Sequence, residues 1–119
     1  MTIRNFIAMI GEAETGGLKT EDDRLRAIGD GGLAGGYYQQ HWKWRVDYWP
    51  AWAWAVLRAL DRIGLENFCA KHPRWVARDL ADTYNLGHLD PDPQYDTRCQ
   101  TGLATLGLAA GEFLTTVRD

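Results

Sequence analysis

Residues 2–14 read TIRNFIAMIGEAE and predict the first helix of the chain. Thr2 is of a residue type that caps helix N-termini. Apolar side chains then recur every three or four positions, the spacing of one helix face: Ile3, Phe6, Ile7 and Ile10. Gly16 and Gly17 are expected to end the helix. At about 100° per residue, Glu14 falls on the apolar face, whereas Glu12 falls on the opposite, solvent-facing side.

The position of Glu14 on the apolar face has a chemical consequence. A carboxyl group held against apolar surface loses solvation, which disfavours its charged form and raises its pKa. A carboxyl that keeps its proton near the working pH can act as a general acid. The alternative is that Glu14 merely ends the apolar stripe and bends out into water. Helical periodicity alone leaves both interpretations open.

The chain between Leu18 and Gln40 is polar at first and then rich in glycine, with five glycines within residues 29–36. This density excludes a helix interior and predicts a tight loop or a short β-hairpin. Glycines let a backbone approach a ligand, and the neighbouring aspartate, glutamine and tyrosines offer hydrogen bonds and flat apolar faces that suit a sugar ring. These neighbours are Asp30, Tyr37, Tyr38 and Gln39. An ordinary exposed turn is the simpler alternative. The spacing matches no phosphate-binding loop.

Prolines and glycines predict the boundaries of further helices. Residues 50–64, 65–72 and 73–87 are expected to be helical, and a last helix follows an N-cap at Asp92. The last helix is expected to turn Tyr95, Cys99, Leu103 and Leu106 inward. With 119 residues, of which 45% are hydrophobic and 24% charged, the chain suits one core. We therefore predict a single, mainly α domain over residues 1–119.

Composition excludes several classes of function. A net charge of −3 offers no basic surface for nucleic acid, and no apolar run approaches the roughly 18 residues of a membrane span. His41, His72 and His88 stand at no metal-binding spacing from one another or from the two cysteines, so we expect neither a metal nor a cofactor. Cys69 and Cys99 could pair, but we expect free thiols because nothing in the sequence indicates secretion. The N-terminal residues do not resemble a signal peptide. We expect a protein made in the cytoplasm.

Several short motifs resemble, in order, those of soluble lytic transglycosylases and goose-type lysozymes. Glu14-Thr15-Gly16-Gly17 resembles their glutamate–serine segment. Gly29-Asp30-Gly31-Gly32 and Gly36-Tyr37-Tyr38-Gln39 resemble the Gly-Asp-x-Gly turn and the Gly-Leu-Met-Gln strand that follow it. Residues 82–87, DTYNLG, resemble the Ala-Tyr-Asn-x-Gly element. The motifs cover residues 3–88, with threonine in place of the serine and two tyrosines in place of Leu-Met.

The resemblance implies a lysozyme-like helical domain that cleaves the β-1,4 bond between N-acetylmuramic acid and N-acetylglucosamine in peptidoglycan. Glu14 would be the catalytic acid, and Asp30 would match the aspartate that goose-type enzymes use in hydrolysis. The resemblance would make Gln39 a substrate-groove residue and would place Tyr84 and Asn85 near the acid. With Tyr37 and Tyr38 of the glycine-rich segment, these residues are the candidates for substrate binding. Trp42, in a tryptophan-rich stretch, is a further candidate for a saccharide groove. The activity would then be that of a muramidase or a lytic transglycosylase.

Two points stay open at this stage. The first is whether Asp30 holds a water for hydrolysis or Glu14 alone drives intramolecular attack, which gives an anhydro-sugar. The second is whether the domain is an enzyme at all, since a lysozyme-like domain can also serve as a glycan-binding or structural part, for instance in a phage particle. An enzyme without a leader would reach the cell wall in a phage particle or through a holin or a secretion system. The oligomeric state is not predicted.

Overall fold

The computed structural model describes residues 1–41 and 62–118. Within these ranges the chain is mainly helical, as predicted. The α-helices are α1 Ile3–Thr15, α2 Glu21–Arg26, α3 Arg62–Lys71, α4 Ala77–Leu86 and α5 Pro93–Thr105. Short 3₁₀ helices span Asp30–Gly32 and Ala110–Leu114. None of the helices in the described ranges has the length and apolar character needed to cross a membrane.

The glycine-rich segment forms a small antiparallel sheet, which confirms the predicted hairpin. Its strands are β1 Ile28–Gly29, β2 Ala34–Gly35 and β3 Gln40–His41, in the order β1-β2-β3. Ile28 pairs with Gly35, and Gly35 pairs in turn with Gln40. The sheet directly follows the two N-terminal helices and carries the residues that the sequence singled out for sugar binding.

Helix α1 begins and ends where the sequence predicts. Thr2 Oγ1 accepts a hydrogen bond from the Asn5 backbone N–H at 3.1 Å, and Gly16 caps the C-terminus. The buried face is displaced slightly from the predicted stripe: Ile3, Phe6, Met9, Ile10 and Ala13 are buried, whereas Ile7 is only partly buried. The displacement arises because α1 is covered from two sides, by α5 and by the tyrosines of the hairpin.

The core lies between α1 and α5, with α4 packed alongside. Tyr95, Cys99 and Leu103 of α5 are buried as predicted, but Leu106 is 37% exposed because the helix ends at Thr105. Gly102 lies where α5 comes closest to α1. A Cβ atom added there would stand 2.8 Å from the Cβ of Glu12, so the absence of a side chain at this position permits the close packing.

The predicted end of the helix before residue 65 was wrong, because Gly64 lies inside α3. The predicted start of the next helix at Pro73 was also wrong, because α4 begins at Ala77. Val76 lies outside the helix: it forms a β-bridge with Thr116, and its N–H donates to Asp79 Oδ2 at 3.0 Å. The predicted stop at Gly87, with φ 83°, is confirmed.

The cap of α5 follows the sequence, because Asp92 Oδ1 accepts from the Tyr95 N–H at 3.2 Å. Helix α2 was not predicted. None of its residues is buried, so the helix shows no periodic apolar face by which the sequence could reveal it. Its start is marked instead by the Thr20 cap and by the acidic residues of its first turn. The part of the predicted helix from Pro50 to residue 61 lies outside the described residues.

Candidate functional site

Glu14 lies in the last turn of α1, and its side chain is half-buried against α5. Burial raises the pKa of the Glu14 carboxyl, while the Tyr95 hydroxyl and the charge of Arg98 act in the opposite direction. The net effect favours the protonated acid. The carboxyl is therefore neither fully exposed to solvent nor neutralised within an ion pair of the described residues.

Tyr95 of α5 lies beside Glu14. Its side chain is almost fully buried, and its hydroxyl meets no acceptor at good hydrogen-bond geometry, although it interacts with the Glu14 carboxyl. Burial and the adjacent Glu14 raise the pKa of Tyr95, so the phenol keeps its proton and can donate it in a hydrogen bond. Arg98 is exposed, and its guanidinium lies 5.4 Å from the centre of the Tyr95 ring.

Tyr84 joins α4 to the hairpin beside this group. Its hydroxyl donates to the Tyr38 carbonyl oxygen at 2.5 Å, and it also acts electrostatically on Tyr95. The resemblance places Tyr84 near Glu14, and the structure brings Tyr84 next to Tyr95, which interacts with the Glu14 carboxyl. Asn85 is exposed, and its Nδ2 donates to Asp92 Oδ2 at 2.6 Å, so the amide links α4 to the start of α5.

The other glutamate of α1 does not face solvent, and that prediction was wrong. The Glu12 side chain is only 14% exposed and forms an ion pair with Arg24 at 3.1 Å. Arg24 also donates from Nε to Thr15 Oγ1 at 3.0 Å and lies 3.8 Å above the centre of the Tyr37 ring. Because α2 was not predicted, the partner that covers Glu12 was missed. This ion pair holds α2 and the hairpin against the end of α1.

Tyr37 and Tyr38 pack on α1 at its one internal glycine. Their ring centres are 4.9 Å apart, and a Cβ atom on Gly11 would stand 2.6 Å from Tyr37 Cε1. Thr15 Oγ1 donates to the Tyr37 carbonyl oxygen at 2.7 Å. The two rings thus support the hairpin against the C-terminal part of α1, with Arg24 covering a face of the Tyr37 ring.

Gln39 has a structural role within the loop. Its Nε2 donates to the carbonyl oxygens of Ala27 at 3.1 Å and Gly36 at 2.8 Å, and the residue adopts a positive φ of 49°. Both amide protons are therefore used inside the hairpin. Asp30 is exposed on the 3₁₀ turn between β1 and β2, with a φ of 51°. Trp42 lies outside the described residues.

Sequence reasoning missed the contribution of α5 to this site. Tyr95 was expected to be an ordinary core residue, although a phenol on the apolar face of a helix needs a polar partner, and that need was the available signal. Arg98 gave no signal of its own. Within residues 1–41 and 62–118, no group of three histidine, cysteine or acidic side chains is arranged to hold a metal ion.

Comparison with known proteins adds no relative. No protein-family model, no characterised protein and no solved structure matches this chain. A functional interpretation therefore depends on the site itself and on the short motifs that surround it.

Proposed function

We propose that this chain is a lysozyme-like peptidoglycan-cleaving glycosidase, with Glu14 as the general acid. The observation that carries the proposal is the environment of Glu14. A half-buried carboxyl with a raised pKa lies at the end of the first helix, beside a phenol and a cation from α5. The order of the motifs around it, which resembles that of lytic transglycosylases and goose-type lysozymes, supports the same assignment.

The proposed reaction begins with proton transfer from Glu14 to the glycosidic oxygen between N-acetylmuramic acid and N-acetylglucosamine. The bond from that oxygen to the anomeric carbon breaks, and positive charge develops on the sugar ring. Glu14 is left as a carboxylate. The Tyr95 hydroxyl and the Arg98 guanidinium both favour that charged form, since each lowers the pKa of the carboxyl. Burial thus keeps the proton on the resting acid, and the two α5 groups stabilise the anion afterwards.

The proposed reaction ends in one of two ways. If Asp30 holds a water on the far face of the sugar, the product is a hydrolysed, reducing end formed with inversion. If it does not, the sugar's own hydroxyl attacks and gives an anhydro end. Asp30 is exposed and lies next to Gly31 and Gly32, both of which have positive φ angles. We favour hydrolysis because this exposed carboxylate lies in a glycine-framed turn that resembles the one carrying the hydrolytic aspartate of goose-type lysozymes.

A turbidity assay on permeabilised bacterial cells tests the proposal. Wild type and a control variant, Glu21→Gln in exposed α2, are expected to clear the suspension. Glu14→Gln keeps the size of the side chain but cannot give up a proton, so its clearing rate should fall by about 10²- to 10⁴-fold. Mass spectrometry of the released fragments distinguishes reducing ends from anhydro ends.

The outcomes separate the enzyme from a binding domain. If wild type and Glu14→Gln clear cells equally, Glu14 is not the acid. If wild type sediments with purified walls but releases no fragments, the activity is refuted and the domain is a glycan-binding or structural part.

A further inference from the structure

Two aspartates face each other between α4 and α5. Asp82 of α4 is only 3% exposed, and its carboxyl lies within hydrogen-bond reach of that of Asp96 in the first turn of α5. The Oδ1 atoms of both residues are buried, and neither receives a hydrogen bond from a donor group. Ionised carboxylates are acceptors only. Two buried acceptors in contact therefore lack one donor, and a proton on either carboxyl would supply it.

The surroundings do not neutralise this pair. The ion pairs formed within residues 1–41 and 62–118 include neither aspartate. Asp82 does accept the backbone N–H of Asp92, but the Asp92 carboxylate adds further negative charge. Cys99 of α5 lies close enough to feel the charges of both aspartates, and the charges of Glu14 of α1 and Arg98 of α5 act on the same thiol. Burial, together with the Asp96 carboxyl, raises the pKa of Asp82 to about 7.

We propose that Asp82 and Asp96 share one proton and so form a proton-dependent clamp between α4 and α5. With the proton in place, the carboxyls join the two helices by a hydrogen bond. When it leaves, two negative charges face each other in a buried site. The clamp does not depend on glycan cleavage, although α4 also carries Tyr84, whose hydroxyl donates to the Tyr38 carbonyl oxygen and so joins α4 to the hairpin.

The direction of the pH effect follows from the raised pKa of Asp82. The folded chain keeps a proton that the unfolded chain releases above the ordinary aspartate pKa of 3.8. The clamp's contribution to stability is therefore complete in acid and is lost as the pH rises toward about 7. Because the pKa is raised this far, the unfolding equilibrium constant should increase by about 50-fold as the pH rises from roughly 5 to 7.

Urea unfolding at several pH values between 5 and 9 tests the clamp with two matched variants. Asp96→Asn gives Asp82 a permanent amide donor and removes the shared proton. Asp23→Asn makes the same change in the first turn of α2, where the side chain is exposed. The ratio of the wild-type to the Asp96→Asn unfolding constant should rise from roughly pH 5 to 7, with an upper limit of about 50-fold, because the variant removes the Asp96 charge but not the burial of Asp82. The ratio of wild type to Asp23→Asn should stay constant.

Parallel stability curves for wild type and Asp96→Asn would overturn the proposal. Carboxyl-carbon NMR of the wild-type protein gives a second measurement that does not require the variant to fold. Titration of the Asp82 carboxyl near pH 7 supports the shared proton. Titration of the Asp82 carboxyl in the ordinary aspartate range refutes it.

Discussion

Replacing Gly102 with alanine is expected to destabilise the domain, although alanine is intrinsically the better helix former. The new Cβ would stand 2.8 Å from Glu12 Cβ and 3.3 Å from the Met9 carbonyl oxygen. The carbonyl belongs to the backbone of α1 and the Glu12 Cβ is attached directly to it, so neither can move aside alone. The two helices must separate slightly, and this loosens the largest interface between helices of the described chain.

The magnitude follows from two opposing effects. Overpacking of a close contact costs about 1–3 kcal/mol, and the higher helix propensity of alanine returns up to about 1 kcal/mol. A net loss of about 1–2 kcal/mol corresponds to a fall in Tm of about 3–8 °C for a domain of this size. Thermal unfolding followed by circular dichroism measures it.

Gly111 supplies the control for this prediction. A Cβ atom there meets nothing within 4 Å, so Gly111→Ala should change stability by less than about 0.5 kcal/mol. If Gly102→Ala matches or exceeds the stability of wild type, the close approach of α1 and α5 is not as described. The explanation for this glycine would then be wrong.

Three further variants test the site through stability. The pKa of Glu14 is raised, so the contribution of the protonated carboxyl to stability is present in acid and is lost as the pH rises. The Tm of Glu14→Gln should therefore match that of wild type near pH 4 and exceed it at pH 7. Equal Tm values at both pH values would contradict the burial of the carboxyl. Tyr84→Phe removes the hydrogen bond to the Tyr38 carbonyl oxygen and should cost about 1 kcal/mol in urea unfolding. Thr15→Val should lower the free energy of unfolding by about 1–2 kcal/mol, because it leaves the Tyr37 carbonyl oxygen without its donor, whereas Thr15→Ser should retain most of the stability. Equal losses in the two variants would show that the hydroxyl is unimportant.

The sequence by itself determined those features of the fold that depend on a few neighbouring residues. A threonine or aspartate cap accepts from an N–H three positions further along, and a glycine with positive φ ends a helix locally. The limits of α1, the hairpin after it, the stop at Gly87 and the cap at Asp92 were therefore predictable. Helical periodicity also put Glu14 on the apolar face, because the spacing of Ile3, Phe6 and Ile10 sets the direction of that face, but it left open whether the carboxyl bends out into water.

Only the tertiary structure decided what surrounds each charged group. Tyr95 is 81 positions from Glu14 in the sequence, and no local rule reports which residue a distant helix brings into contact. The same is true of the burial of Glu12 by Arg24 and the meeting of Asp82 with Asp96. Burial and pKa depend on the packing of whole helices, and that packing is set by volumes and close approaches such as the one at Gly102.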